Sequence, residues 1–142
     1  MTTFAIAVKA FIVENDKMLV LKRRPDDAQK PNQWDIPGGR LEPGEDPFVG
    51  LQRETQEEAH IKIRIEQPLA VRHFTRDDGQ TITMIIFLCA PLTKKITLSD
   101  EHTEYQWIDI THAEHVLHDW LLSIVQSYQG LYLSHKTAIP SS

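Results

Sequence analysis

The chain has 142 residues, 41% hydrophobic and 25% charged, with a net charge of −5 when its histidines are neutral. That is the length of one ordinary domain, able to bury a core without disulfides or structural metal. The acidic balance argues against non-specific nucleic-acid binding and suits a protein that gathers cations, the single cysteine, Cys89, excludes an intrachain disulfide, and no apolar run approaches the roughly 20 residues of a membrane span.

Residues 4–13 are rich in Ile, Val, Phe and Ala, which predicts a buried strand. Lys9 interrupts this run and no basic segment precedes it, so it makes a poor secretory signal, and a soluble cytoplasmic protein is expected. After a polar turn at residues 14–17, residues 18–22 read as the second arm of a hairpin. Residues 24–34 are polar, contain Pro25 and Pro31, and predict a loop. A short apolar segment at residues 34–37 is ended by Gly38-Gly39. Asp46 can cap a helix whose first position Pro47 tolerates, because its missing N–H costs nothing there. That helix is expected to reach about Ala59, with Phe48, Leu51, Thr55 and Ala59 as its inward stripe.

Residues 61–74 predict one or two strands with a break near Pro68, Asp78-Gly79 a hairpin turn, and residues 81–89 a central strand that buries an inert Cys89. A short strand follows at residues 105–108. Thr111 and Glu114 fit a capping box for a final helix. Its stripe of Ala113, Val116, Leu117, Trp120, Leu121, Ile124, Val125 and Tyr128 is suited to core packing. His112, His115 and His118 read as mostly solvated, and the histidines as a group show no metal-ligand spacing. One domain over residues 1–130 and a loosely held tail over 131–142 are expected.

The chemistry concentrates in residues 39–61. Glu54, Glu57 and Glu58 fall at i, i+3 and i+4, so a helix places all three carboxylates on one face. Such like charges repel unless a hard divalent cation gathers them, and Mg²⁺ prefers carboxylates, water and substrate phosphates. Gly38 and Gly39 let backbone approach an ion closely. Arg53 can pair with Glu45 and brace loop against helix. A solvated acidic helix face would account for three glutamates alone, but not for the wider pattern.

That pattern, carried by Gly39, Glu45, Arg53, Glu54, Glu57, Glu58 and Ile61, resembles the Nudix box. The six polar and glycine matches would coincide by chance on the order of once in ten million starting positions. Thr55 departs from an apolar position of the box, and His60 replaces its late glycine, which suits a left-handed helix end. The resemblance implies an α+β fold, an α/β/α sandwich around a mixed sheet with the box as a loop–helix–loop metal site. It implies that Glu54, Glu57 and Glu58, joined by a backbone carbonyl at Gly38 or Gly39, bind Mg²⁺ or Mn²⁺. The implied reaction is hydrolysis of a nucleoside diphosphate linked to another group, catalysed by Glu57 or Glu58 of the box or by Glu101 or Glu104 of a later loop. Arg23, Arg24 and Arg40 are candidates for substrate phosphates, with one of the first two reaching the substrate because strand neighbours face opposite ways. Trp34 could line a base pocket or pack in the core. The short span from Arg24 to the box resembles the branch acting on nucleoside triphosphates, oxidised purine nucleotides included. ADP-ribose, dinucleoside polyphosphates, nucleotide sugars and a non-catalytic nucleotide-binding domain stay open. The partner is then a small nucleotide, not nucleic acid or membrane, and a homodimer is compatible with the family.

Overall fold

The computed structural model describes residues 3–138. Its axis is β1 (Phe4–Glu14), paired in parallel with β6 (Thr81–Pro91) from Phe4↔Thr81 to Ile12↔Cys89. Strand β6 in turn pairs antiparallel with β5 (Ile63–Thr75), at the sheet edge. On its other side β1 pairs first with β4 (Gly38–Arg40), then with β2 (Lys17–Arg23). The β1–β2 turn places Asn15 and Asp16 at φ 53 and 62, left-handed values matched to hairpin twist. Strand β2 also pairs with β3 (Trp34–Asp35) and β7 (His102–Asp109), completing a mixed sheet.

Both faces of this sheet are covered, which explains why β1 reads as one apolar run rather than an alternation. Ala7 and Phe11 join a core with Leu121, Ile124 and Val125 of α2 (Asp119–Ala138). Val8, Ala10 and Ile12 join another with Leu51 and Ala59 of α1 (Pro47–Ala59). Each large apolar side chain fully buried in these layers contributes about 1.5–3 kcal/mol. The result is the expected α+β sandwich, with Cys89 buried in the α1 layer. Burial pushes its thiol up to about 12, so it stays protonated. Among the described residues no helix is long and apolar enough to cross a membrane.

Several local expectations need correction. The glycines do not end the segment before them but open β4, where Gly38 and Gly39 pair with Lys9 and Val8. Residues 63–75 form one strand across Pro68, because register shifts at Ile65/Gln67 and Pro68/Ala70 absorb the missing donor on an edge strand. Phe48 is exposed, with its ring 5.3 Å from that of Phe87. The inward stripe of α1 is instead Leu51, Thr55, Glu58 and Ala59, so the helix buries a carboxylate. The last helix does not start at Thr111. Asp109 accepts the Thr111 N–H at 3.0 Å and caps a 3-10 segment, Ile110–His115. Asp119, at φ 53, then opens α2. That helix continues past Gly130, where Tyr132 stacks on Tyr128 at 4.8 Å and accepts a hydrogen bond from Gln67. Residues 139–142 of the expected tail lie outside the described residues.

Candidate active site

Helix α1 is held firmly at both ends. Asp46 Oδ1 accepts from the N–H groups of Phe48 and Val49 at 2.8 and 3.2 Å. At the other end His60 takes φ 54 and its N–H donates to the Gln56 carbonyl, so histidine fills the left-handed cap that glycine usually occupies. The entering loop is clamped by Arg53, whose Nε and Nη2 donate to Glu45 Oε2 and Oε1 at 2.8 and 2.9 Å. This fork, with the Glu42 N–H, holds the Glu45 carboxyl down at about 2. Arg53 Nη1 reaches on to Glu54 at 3.3 Å and Glu57 at 3.2 Å. One guanidinium therefore fixes the loop and restrains two carboxylates of the acidic face.

The Gly38-Gly39 strand passes directly under that face. A Cβ on Gly39 would lie 2.8 Å from Glu54 Oε1, and one on Gly38 would lie 2.1 Å from the Val8 carbonyl oxygen. Gly38 also has φ 140, a backbone that side-chain-bearing residues rarely adopt. Its N–H donates to Glu58 Oε2 at 3.2 Å. Burial pushes the Glu58 carboxyl up to about 8, and the neighbouring Glu54 and Glu101 add to this against the pull of Lys9 and the Gly38 N–H. Burial also raises Glu54, opposed by Arg53.

A buried cationic network stands behind the turn. Lys9 Nζ lies 3.3 Å from Asp35 Oδ2 and donates to the carbonyls of Ile36 and Gly38 at 3.2 and 3.4 Å. Arg23 donates to Asp35 at 3.0 Å and to Asp27 at 2.8 Å. Burial alone would raise Asp35, but Lys9, the Ile36 N–H, Lys30 and Arg23 outweigh it and hold the carboxylate low.

These elements enclose a cleft of about 340 Å³ lined by the carboxylates of Glu54, Glu58, Glu101 and Asp27, the cations Lys9, Arg23, Arg24 and Arg40, and both glycines. A larger hollow of about 530 Å³ beside α1 and β5 has no carboxylate in its lining, so chemistry rather than volume marks the site. Of the residues singled out in the sequence, the cleft brings together Gly38, Gly39, Glu54, Glu58, Glu101, Arg23, Arg24 and Arg40. Three are not in that lining, although Glu57 shares the Arg53 Nη1 with Glu54. Glu57 is exposed and paired with Arg53. Glu104 lies on β7, paired with Lys22 at 3.3 Å. Trp34 packs against the α2-side core, with the Lys22 ammonium 5.8 Å from its ring.

Lys9, Asp35 and His102 were not legible as site residues. The available signal for Lys9 was a lone charge inside a buried strand, which demands a partner. His102 is buried, and burial pushes it down to about 4, so its imidazole is neutral at pH 7. Ligand atoms of Glu58, Glu101 and His102 all lie within 4.8 Å of one another. A divalent cation fits this donor set: crowded, partly buried carboxylates whose charge needs compensation, and a Gly39 backbone with no side chain to stand between it and Glu54.

Comparison with known proteins agrees with this geometry. The chain is 32% identical over 108 residues to nucleoside triphosphatase NudI of Escherichia fergusonii, covering 68% of this chain and 77% of that protein. It is 30% identical over 104 residues to a MutT-like protein of Streptomyces ambofaciens, covering 73% of this chain but only 63% of that protein, less than two thirds of its length. A MutT protein from Methanosarcina mazei Go1 has the same fold, with a TM-score of 0.81 at 23% identity over 97% of this chain and 98% of that one. The family description NUDIX domain matches residues 3–128, a span that takes in every strand and the first half of α2, and the chain therefore belongs to the Nudix hydrolase family.

Proposed function

We propose that this chain hydrolyses a nucleoside triphosphate, oxidised purine deoxynucleotides among the candidates, to a nucleoside monophosphate and pyrophosphate. The observation that carries this reading is the cleft itself, where Glu54, Glu58 and Glu101 share about 340 Å³ with Arg24 and Arg40. The short loop between Arg24 and Gly39 and the resemblance to relatives named nucleoside triphosphatase support a triphosphate over a larger conjugate.

Glu54, Glu58 and Glu101 would hold the divalent cation, Mg²⁺ or Mn²⁺, together with the Gly38 or Gly39 carbonyl and with Glu57, which shares the Arg53 guanidinium with Glu54. When bound, the cation supplies charge neutralisation for the diphosphate oxygens and polarises water. Arg23 is committed to Asp27 and Asp35, so it braces Asp35 beside Lys9, whose ammonium donates to the Gly38 carbonyl. Arg24 is half exposed and, among the described residues, paired only with the exposed Asp26, which leaves its fork for phosphate oxygens, together with Arg40. Glu58, whose carboxylate is held toward the cleft by the Gly38 N–H, accepts a proton from the attacking water. The water oxygen bonds to the α or the β phosphorus of the anhydride and the bridging P–O bond breaks, so that pyrophosphate leaves in the first case and the nucleoside monophosphate in the second. Chemistry of this kind depends mainly on positioning and charge, which the clamped α1 and the glycine strand supply.

The same reading carries a cytoplasmic location and a small nucleotide rather than nucleic acid as partner. It leaves room for a homodimer, which light scattering tests. A panel of nucleoside triphosphates, ADP-ribose, dinucleoside polyphosphates and nucleotide sugars, incubated with Mg²⁺ or Mn²⁺, tests the substrate. Pyrophosphate and monophosphate in equal amounts from a triphosphate are expected. Preferential cleavage of any other class, or release of orthophosphate alone, would overturn it.

A further inference from the structure

His102 opens β7 and is 7% exposed. Its Nδ1 is buried with no hydrogen-bond partner among the described residues. Buried polar atoms are nearly always satisfied, so such an orphan calls for a partner, a water or an ion. The side chain is aimed deliberately. The β2–β7 register shifts between Lys22 and Arg23, so that Lys22 faces Glu104 while Arg23 faces His102, and such irregularities re-aim side chains beside functional sites. The backbone is pinned on either side, by the Arg24 N–H to the Glu101 carbonyl at 3.1 Å and the His102 N–H to the Ser99 carbonyl at 3.3 Å.

An imidazole nitrogen of His102 and carboxylate oxygens of Glu58 and Glu101 all lie within 4.8 Å of one another. Yet neither a hydrogen bond nor an ion pair joins the imidazole to either carboxylate among the described residues. Donors on opposite sides of one cation, with bonds of about 2.1 Å, stand about 4.2 Å apart. The gap is thus one that a shared ion closes with small side-chain rotations.

We propose that His102 is a nitrogen ligand of the cation held by Glu58 and Glu101, and that it biases the site toward transition-metal ions such as Mn²⁺ and Co²⁺ over Mg²⁺. Carboxylate, carbonyl and water donors alone suit Mg²⁺, whereas imidazole strengthens binding of Co²⁺ and its neighbours far more than that of Mg²⁺. The inference rests on the cation site described above but not on the identity of the nucleotide.

The test uses the full chain loaded with Mn²⁺ and no nucleotide, read by pulsed electron paramagnetic resonance for coupling to a histidine nitrogen. Wild type is expected to show it. His102→Asn should lose it while still binding Mn²⁺ through the carboxylates, and its Co²⁺-to-Mg²⁺ affinity ratio should fall by about tenfold or more, the size of loss typical when groups around a metal are removed. Coupling that is absent in wild type, or that persists in His102→Asn, overturns the proposal. If His102→Asn does not fold, substitution of each of the other six histidines in turn (His60, His73, His112, His115, His118 and His135) decides the matter: coupling that survives every one of them supports His102, and coupling lost with any of them overturns it. Failure of the substrate reading stays distinct, since a protein that cleaves no triphosphate can still show the nitrogen signal, and one that cleaves it without the signal removes only His102.

Discussion

Glu58 combines three demands in one side chain. It belongs to the inward stripe of α1, it accepts the Gly38 N–H, and it lies beside Glu54 on one helix face and lines the cleft with Glu101. Glu58→Gln keeps the shape and the acceptor but removes the proton-accepting carboxylate. We expect kcat to fall by about 10²–10⁴, the range for a positioned acid–base group, with the melting temperature retained. An unchanged kcat would remove Glu58 from the mechanism. Glu101→Gln should likewise cost more activity than Glu104→Gln, because Glu101 lines the cleft and Glu104 is paired with Lys22 on β7. The acidic residues were legible because their helical spacing is written in the chain. Lys9, Asp35 and His102 were not, because a single charged or imidazole side chain becomes informative only once folding buries it beside its partners, and Asp35 meets Lys9 from 26 positions away.

Elements position these groups, and the two glycines of β4 separate folding from function. On Gly38 a methyl would meet the Val8 backbone oxygen at 2.1 Å, on a strand that cannot yield. Gly38→Ala is therefore expected to destabilise the fold severely, with the strained backbone alone costing on the order of 1–3 kcal/mol. On Gly39 the methyl would meet the end of a flexible side chain, Glu54 Oε1 at 2.8 Å. Gly39→Ala should leave the melting temperature nearly intact and lower kcat by about 10²-fold, as carboxylate misplacement by roughly an ångström can. Thermal melts alongside steady-state kinetics separate the two outcomes; equal losses of stability in both variants would refute the distinction. At this scale the sequence showed where α1 begins, since Asp46-Pro47 is a local signal. The start of α2 was less legible. The stripe from Ala113 to Tyr128 continues through the break, so apolar spacing could not reveal that Asp109 caps a 3-10 segment first.

The whole molecule depends on charge buried within the sheet, Lys9 of β1 against Asp35 of β3, and this gives its stability a pH dependence. Asp27 is held below its ordinary value of 3.8 despite burial, by Arg23 and by the Lys30 and Gln29 N–H groups. Asp35 is also held below 3.8 despite burial, by Lys9, the Ile36 N–H, Lys30 and Arg23. A carboxyl whose folded value lies below its unfolded one binds fewer protons in the native state near and below 3.8. Its contribution is complete above that value and is lost as pH falls below it. The share that these two carboxylates contribute, measured by urea denaturation, should therefore be complete above about pH 5 and drop steeply toward pH 3, superposed on the opposed slopes that Glu58, raised to about 8, and His102, lowered to about 4, impose at higher pH. Asp35→Asn isolates the share of this pair. It leaves the buried Lys9 ammonium without its carboxylate, and breaking such a pair costs about 3–5 kcal/mol, so the variant should be much less stable at pH 7. It also lacks the Asp35 titration, so its decline toward pH 3 should be shallower than that of the wild type. Parallel declines in the two proteins would mean that Asp35 does not carry the acid sensitivity, and would place it with Asp27 and the surface carboxylates instead.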